Sequence, residues 1–341
     1  MIMAFDITKI NDISDVAADV YSGKALRGNF STEDGERLVY NALVDANNGK
    51  TYLDPRDLRD GKCSTLFALV ETIIKKTVVE GVRNDPFLNK ILETRVVKAG
   101  DKPVFVVKDA NWYTVSEVSG GNQALRRQRI VGTEEVTVPT HWHAVKIYEE
   151  MERLLGNMAS MTENIGDVAR SFQEDIWRQV AVIWQGLTQE QLGGATYDIT
   201  GSWDEAAMVK LIQHVEAATG QKASIYGTKL GLSKMTSGVA ANAAKDDMYN
   251  IGYYGKFRGT NAIEVPQRHK AGTTDFLFND NVLTVIAGPA KPVKLVIEGN
   301  PLINLGSYFD NQDLTQDYVY GQKYGVGYVA ANGMIGRNTI S

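Results

Sequence analysis

Apolar positions change their period several times along the chain, and each change marks an element. Near the start, Ile13, Val16, Ala17 and Val20 recur at helical spacing. A second helical stretch follows Ser31-Thr32-Glu33-Asp34, where Ser31 is placed to cap it and Leu38, Leu43 and Val44 supply the apolar positions. Both are too short to stand alone in water and must dock on this chain or on another. Residues 64–82 mix Leu, Ile and Val with β-branched runs and read as a helix followed by a strand. Residues 91–97 read as a strand, Lys98–Asp101 as a turn and 103–107 as a second strand, which together predict a hairpin. The β pattern continues over 112–118, loops at Ser119–Asn122 and returns as a long strand over 129–142.

From 144 the spacing of Val145, Tyr148, Met151 and Leu155 predicts a helix ending at Gly156. The strongest helical pattern spans roughly 161–187, with Thr162 as candidate cap. Its apolar stripe includes Ile165, Val168, Phe172, Ile176, Val180, Ile183 and Leu187. At 1.5 Å per residue it would be about 40 Å long. Residues 203–219 form an amphipathic pattern stopped by Gly220, followed by a short strand at 223–227 and a short helix after Thr228. The segment 249–266 ends in a strand closed by Pro266. Phe276–Phe278, 282–288, 292–299 and 324–333 read as further strands. One helix–strand alternation followed by many strands indicates α+β, not doubly wound α/β. No repeat of 20–50 residues is visible.

Composition narrows the functional classes. The 341 residues carry a net charge of -5, with a pI near 5.5, against the strongly basic surface expected of a protein that binds nucleic acid electrostatically. The charge is uneven. Residues 1–60 hold seven basic and eleven acidic side chains, whereas 94–143 hold seven basic and five acidic ones. A basic β excursion from an acidic body suggests a segment meant for a partner surface. One cysteine, Cys63, excludes an internal disulfide. The first fifteen residues lack the basic and apolar regions of a signal peptide, and no window is apolar enough to predict a membrane span.

Candidate chemistry is sparse. His141 and His143 would share one face of a strand, as two metal ligands might, but no third ligand is near in sequence. Gly325–Ala330 formally matches G-x-G-x-x-A, yet only eleven residues follow, too few for the helix and acidic residue of a dinucleotide site. No nucleophile elbow occurs. The residues predict no catalytic group, no metal and no cofactor. Arg126, Arg127 and Arg129 form a basic cluster beside the loop tip.

The order of parts is more telling than any motif. An N-terminal acidic segment precedes a long β excursion, a long helix, a compact α+β unit and closing strands. In 203–266 a helix, the strand ASIYG and a short helix lead to GYYGKFRGTNAIEVPQ, with Gly252, Gly255 and Gly259 spaced before the last strand. In this succession the chain resembles the major capsid proteins of tailed bacteriophages, with the Hong Kong 97-type fold.

The resemblance implies an α+β capsid fold with an N-arm (1–60), an extended β-hairpin loop (94–143), a peripheral domain carrying a spine helix (61–93, 144–199 and 286–341) and an axial domain (200–285). It implies a structural subunit, not an enzyme, that self-assembles into hexamers and pentamers of an icosahedral shell. The shell encloses double-stranded DNA without sequence-specific binding, needs a separate scaffolding protein and a portal, and involves no membrane. The protein would reside in the virion after assembly in the host cytoplasm. Lys98, Lys102, Lys108, Trp112, Arg126, Arg127 and Arg129 are the candidate inter-subunit contacts, and the three lysines, by location, are candidates for cross-linking to a neighbouring asparagine. Three alternatives remain open: an encapsulin-type nanocompartment subunit, a soluble metal-dependent enzyme using His141 and His143, and a non-capsid virion or tail protein.

Overall fold

The computed structural model describes residues 7–21, 31–107, 113, 115–117, 127–128, 134–150, 158–235, 249–288, 291–305 and 315–341. Helices α1 (Ile7–Tyr21), α2 (Thr32–Ala46) and α3 (Pro55–Arg59) lead into α4 (Ser64–Asn84). Ser31 caps α2 as its sequence suggested: its Oγ accepts from the Asp34 amide at 3.2 Å, and the Asp34 carboxylate accepts from the Ser31 amide at 3.3 Å. The acidic N-terminal segment docks on its own chain. Ala17 of α1 and Val39, Leu43 and Ala46 of α2 are buried in the main core, and Lys76 of α4 pairs with Asp15 at 2.8 Å.

The helix-then-strand reading of 64–82 is corrected to one helix, α4. Its β-branched residues Ile73, Ile74, Val78 and Val82 fall on a buried helical stripe, and tertiary burial outweighs their strand propensity. The long helix is present as α6 (Met158–Gln185), so it starts before Thr162, which lies inside it and is not the cap. Ile165, Val168, Phe172, Ile176, Trp177, Val180 and Trp184 bury its apolar face against the same core.

Among the described residues the first sheet has the order β1-β10-β11-β4, from β1 (Leu92–Val97), β4 (His141–Glu150), β10 (Val293–Leu305) and β11 (Thr315–Tyr328). The predicted hairpin of 91–97 with 103–107 does not form. β1 runs parallel to β10, while β2 (Val104–Val107) pairs with β3 (Glu134–Thr137), with Val107 opposite Glu134. The expected strand over 129–142, of which 129–133 lie outside the described residues, is interrupted at Val138–Thr140, where Pro139 cannot donate to a ladder. The expected helix from 144 is also corrected: His141–Glu150 is a continuous strand paired with β11 from His141↔Tyr324 to Glu150↔Thr315. Val145 and Ile147 alternate inward while Ala144, Lys146 and Tyr148 face out, so a period of two fits the burial better than 3.6. Residues 151–157, with Gly156, lie outside the described residues.

The glycines of the false dinucleotide motif have a packing role. Gly325 lies on β11 beneath the Val138–Thr140 crossing, and a Cβ there would sit 1.9 Å from the Pro139 carbonyl oxygen. Gly325→Ala is therefore expected to destabilise the fold by about 1–3 kcal/mol through overpacking, read as a lower urea midpoint with an unchanged slope.

The second sheet has the order β5-β12-β9-β6-β8-β7: β5 (Asp198–Gly201), β6 (Ala223–Gly227), β7 (Lys256–Phe257), β8 (Thr260–Glu264), β9 (Val282–Ala287) and β12 (Ile335–Ile340). The short helix α7 (Gln189–Leu192) precedes it. Helix α8 (Glu205–Thr219), capped by Asp204 and ended at Gly220, lays Met208, Leu211, Ile212 and Val215 on this sheet. Helix α9 (Lys229–Ser233) follows β6. Arg258 and Gly259, both at positive φ (46° and 86°), turn β7 into β8 in the manner of a type I′ hairpin. Phe276–Phe278 contributes only an isolated bridge, His269 to Phe276, instead of a strand.

The two sheets meet through aromatic packing. Phe87, which precedes α5 (Leu88–Ile91), stacks on Trp177 of α6 at 5.5 Å. Phe278 packs edge-on to both, and Tyr226 of β6 packs edge-on to Phe87 and to Trp184. Arg268 places its guanidinium 4.4 Å from the Trp177 ring centroid.

Candidate assembly surface

The chain between β2 and β3 is the long excursion whose basic character stands out in the sequence. Its root is built onto the first sheet. Phe105 of β2 is 2% exposed and packs with Val138, Val296 and Val329. Arg95 of β1 covers the Phe105 ring at 4.1 Å, and its Nη1 donates to the Val104 carbonyl at 3.0 Å. The opposite side of the same strand is open, with Val104 41% and Val106 54% exposed. The root is therefore held on one face and offers an apolar strip on the other.

Glu298 ties the root together from beneath. It sits on β10 at the bulge between Glu298 and Leu302. Its carboxylate accepts from the Gly100 amide at 2.8 Å, from Lys323 Nζ at 2.8 Å and from the Thr140 hydroxyl. One buried carboxylate thus binds the Lys98–Asp101 turn, the entry to β4, and β11. Lys323 is the main cause, with Thr140 and the Gly100 amide, holding the Glu298 carboxyl down to about 2. A carboxyl depressed on folding adds stability above its unfolded pKa of about 4.3, and that stability is lost as the pH falls toward the folded value. The melting temperature of Glu298→Gln is accordingly expected to lie below wild type at pH 7, with the gap narrowing between about pH 4 and pH 2. A gap independent of pH would sink the assignment. Nothing in the sequence singles out Glu298. Its partners lie at positions 100, 140 and 323 and meet only in the fold.

The sequence-derived contact residues do not gather at one point. Lys98 and Lys102 are exposed around the turn that Glu298 anchors, and Arg127 is exposed in the excursion. Lys108, Trp112, Arg126 and Arg129 lie outside the described residues. Tyr113 (52%) and Val115 (93%) are exposed apolar side chains of the same excursion. Leu230 of α9, and Tyr249 and Ile251, which precede β7 in the chain, are also exposed, with Tyr249 91% accessible.

Of the two strand histidines, His143 contributes to packing. His143 stacks on Tyr324 with ring centroids 4.1 Å apart and lies 3.3 Å from Asp175, while His141 is exposed. Asp175 accepts from Tyr324 Oη at 2.5 Å and from Gln179 at 2.6 Å, and pairs with Arg178. Burial raises the Asp175 carboxyl, but these hydrogen bonds outweigh it and hold the group below the usual range. Burial, with the adjacent carboxylate, pushes the Tyr324 hydroxyl far up. The cluster lines a groove of about 990 Å³ between α6, β4 and residues 268–273, and it fixes β4 and β11 to the long helix. Among the described residues, no group of three or more His, Cys, Asp or Glu is placed to hold a metal ion, and no helix is long and apolar enough to cross a membrane.

Comparison with known proteins agrees with this architecture. No curated protein matches the chain. The capsid of the native GTA particle shares 12% identity, covering 74% of this chain and 89% of that one, with a TM-score of 0.50. A protein of Mycobacterium phage Patience is 13% identical over 81% of this chain and 89% of its own, with a TM-score of 0.45. The SrpI encapsulin of Synechococcus elongatus is 9% identical over 74% and 86%, with a TM-score of 0.43. The profile of a family described as "SPbeta prophage-derived putative capsid protein YonB" matches residues 49–337, the greater part of the chain. The chain belongs to this prophage capsid protein family and has the Hong Kong 97-type capsid fold.

Proposed function

We propose that the chain is the major shell subunit of a tailed phage particle, assembling as hexamers and pentamers into an icosahedral container for double-stranded DNA. The observation that carries this reading is the root of the excursion, fixed to its own sheet by Phe105 and Glu298 yet leaving Val104 and Val106 open. Apolar residues on a two-stranded ribbon gain burial only from another surface. In this reading the excursion within residues 94–143, beyond its root on the first sheet, lies over a neighbouring subunit, and Leu230, Tyr249 and Ile251 of the 200–285 unit meet their copies around the five- and six-fold axes. The divisions are an N-arm (1–60), a peripheral domain (61–93, 144–199, 286–341) and an axial domain (200–285). A separate scaffolding protein and a portal act as partners during assembly in the host cytoplasm. The subunit has no catalytic task.

Negative-stain electron microscopy of the chain, alone and with a candidate scaffold, tests the proposal. Closed shells or five- and six-membered rings are expected; a strictly monomeric or dimeric chain under all conditions would overturn it. Capture of a co-expressed enzyme through a tail peptide would mark an encapsulin-type container instead. Reversing Arg126, Arg127 and Arg129 to glutamate is expected to lower assembly yield more at low salt than at high, because the Debye length shortens from about 30 Å at 0.01 M to about 8 Å at 0.15 M. Yield that does not change with these substitutions would remove the cluster from the interface.

A further inference from the structure

Strand β4 is an edge. It pairs along its whole length with β11, and among the described residues no strand pairs with its other side. Two of the devices that usually blunt such an edge are missing: His141–Glu150 contains no proline, and the register with β11 carries no bulge. Its outward face presents Trp142, 55% exposed, and Tyr148, 71% exposed, with Ala144 and Lys146 between them. Lys146, the one lysine of the strand, is held by Asp317 at 2.7 Å. A ten-residue edge without a bulge and with two open aromatics is a template for another strand.

The strand is complementary to itself. Run antiparallel against a second β4 about a two-fold axis at Val145, Trp142 falls opposite the partner's Tyr148 and Ala144 opposite the partner's Lys146. On the other face, His143 meets the partner's Ile147. Each pair lies on one face, as the pleat requires. The register joins two aromatics, a favourable cross-strand combination, and opposes no like charges at positions 142–148. Neighbouring registers of the same parity are worse. Centring on Lys146 opposes two lysines, and centring on Ala144 places Trp142 against lysine and leaves Tyr148 beyond the start of the partner strand.

We propose that β4 pairs antiparallel with β4 of a second copy about Val145, joining two four-stranded sheets across a two-fold axis. Such an isologous contact uses the same patch on both copies. It rests on the shell reading only in that the shell supplies the second copy.

The test uses the full chain with Trp142→Cys and Tyr148→Cys together, oxidised mildly and run on a non-reducing gel, both as particles and as concentrated unassembled chain. The one native cysteine, Cys63, is buried. Directly opposed strand residues lie within disulfide reach, about 4.5–5.5 Å between Cα atoms. A covalent dimer is expected from this pair and not from the offset pair Ala144→Cys with Tyr148→Cys. Trp142→Glu with Tyr148→Glu should abolish the contact, and Trp142→Lys with Tyr148→Glu should restore it. Well-formed particles whose cysteines stay reduced, or equal cross-linking of the offset pair, would overturn the pairing while leaving the shell reading intact. Absence of any shells or rings, with cross-linking retained by the unassembled chain, would overturn the shell reading alone.

Discussion

Trp177→Ala is expected to lower the stability of the folded chain by about 3–5 kcal/mol. Trp177 is 2% exposed at the centre of α6, stacked on Phe87 and edge-on to Phe278. Its removal empties the point at which α5, α6 and the 276–278 segment converge, and it takes the aromatic face away from Arg268. Arg268 stays paired with Glu174 and, at 3.7 Å, with Asp85, but its buried Nε has no hydrogen-bond partner among the described residues, and the loss removes the ring that covers its guanidinium. Urea unfolding followed by circular dichroism measures the effect. Trp142→Ala is the control: Trp142 is 55% exposed, and the isolated chain should lose no more than about 0.5 kcal/mol. Equal losses for the two tryptophans would contradict the assignment of Trp177 to the junction.

The second large effect concerns assembly. Residues 108–133 connect β2 to β3, and Val107 faces Glu134 as the last pair of that ribbon. Replacing 108–133 by Asn-Gly converts the ribbon into a two-residue hairpin without touching Phe105 or the Glu298 anchor. The resulting chain is expected to melt within a few degrees of wild type and to form no closed shells by electron microscopy. The cut matters. Removing all of 94–143 would delete most of β1, both strands of the ribbon and the start of β4, and would damage the first sheet itself. Closed shells from the shortened chain would overturn the role of the excursion.

Some of this architecture was legible in the residues. The stripe from Ile165 to Leu187 announced the long helix, Ser31 its own cap, and Gly220 the end of α8, because each depends on chemistry within a few positions. The errors fell where distant residues decide. Residues 144–150 satisfy a helical spacing through Val145 and Tyr148, yet the unpaired side of β11 takes them as a strand. Residues 91–97 look like half of a hairpin, but β10, two hundred positions later, claims them in parallel. The proposed assembly surface shows in the sequence as charge, not as geometry. The basic residues mark the excursion, whereas Glu298 and Phe105, which fix its root, carry no local signal.

That long reach has a consequence for synthesis. β1 waits for β10, β4 for β11, and β5 for β12, so each early strand takes its neighbour from the last fifty residues. Contacts so remote in sequence form late and slowly. During translation the first sheet cannot close until nearly the whole chain has left the ribosome, whereas β6 to β9 of the second sheet can pair once Ala287 is out. A chain terminated before β10 therefore lacks two of the four strands of the first sheet, β10 and β11, and is expected to leave β1 and β4 without partners.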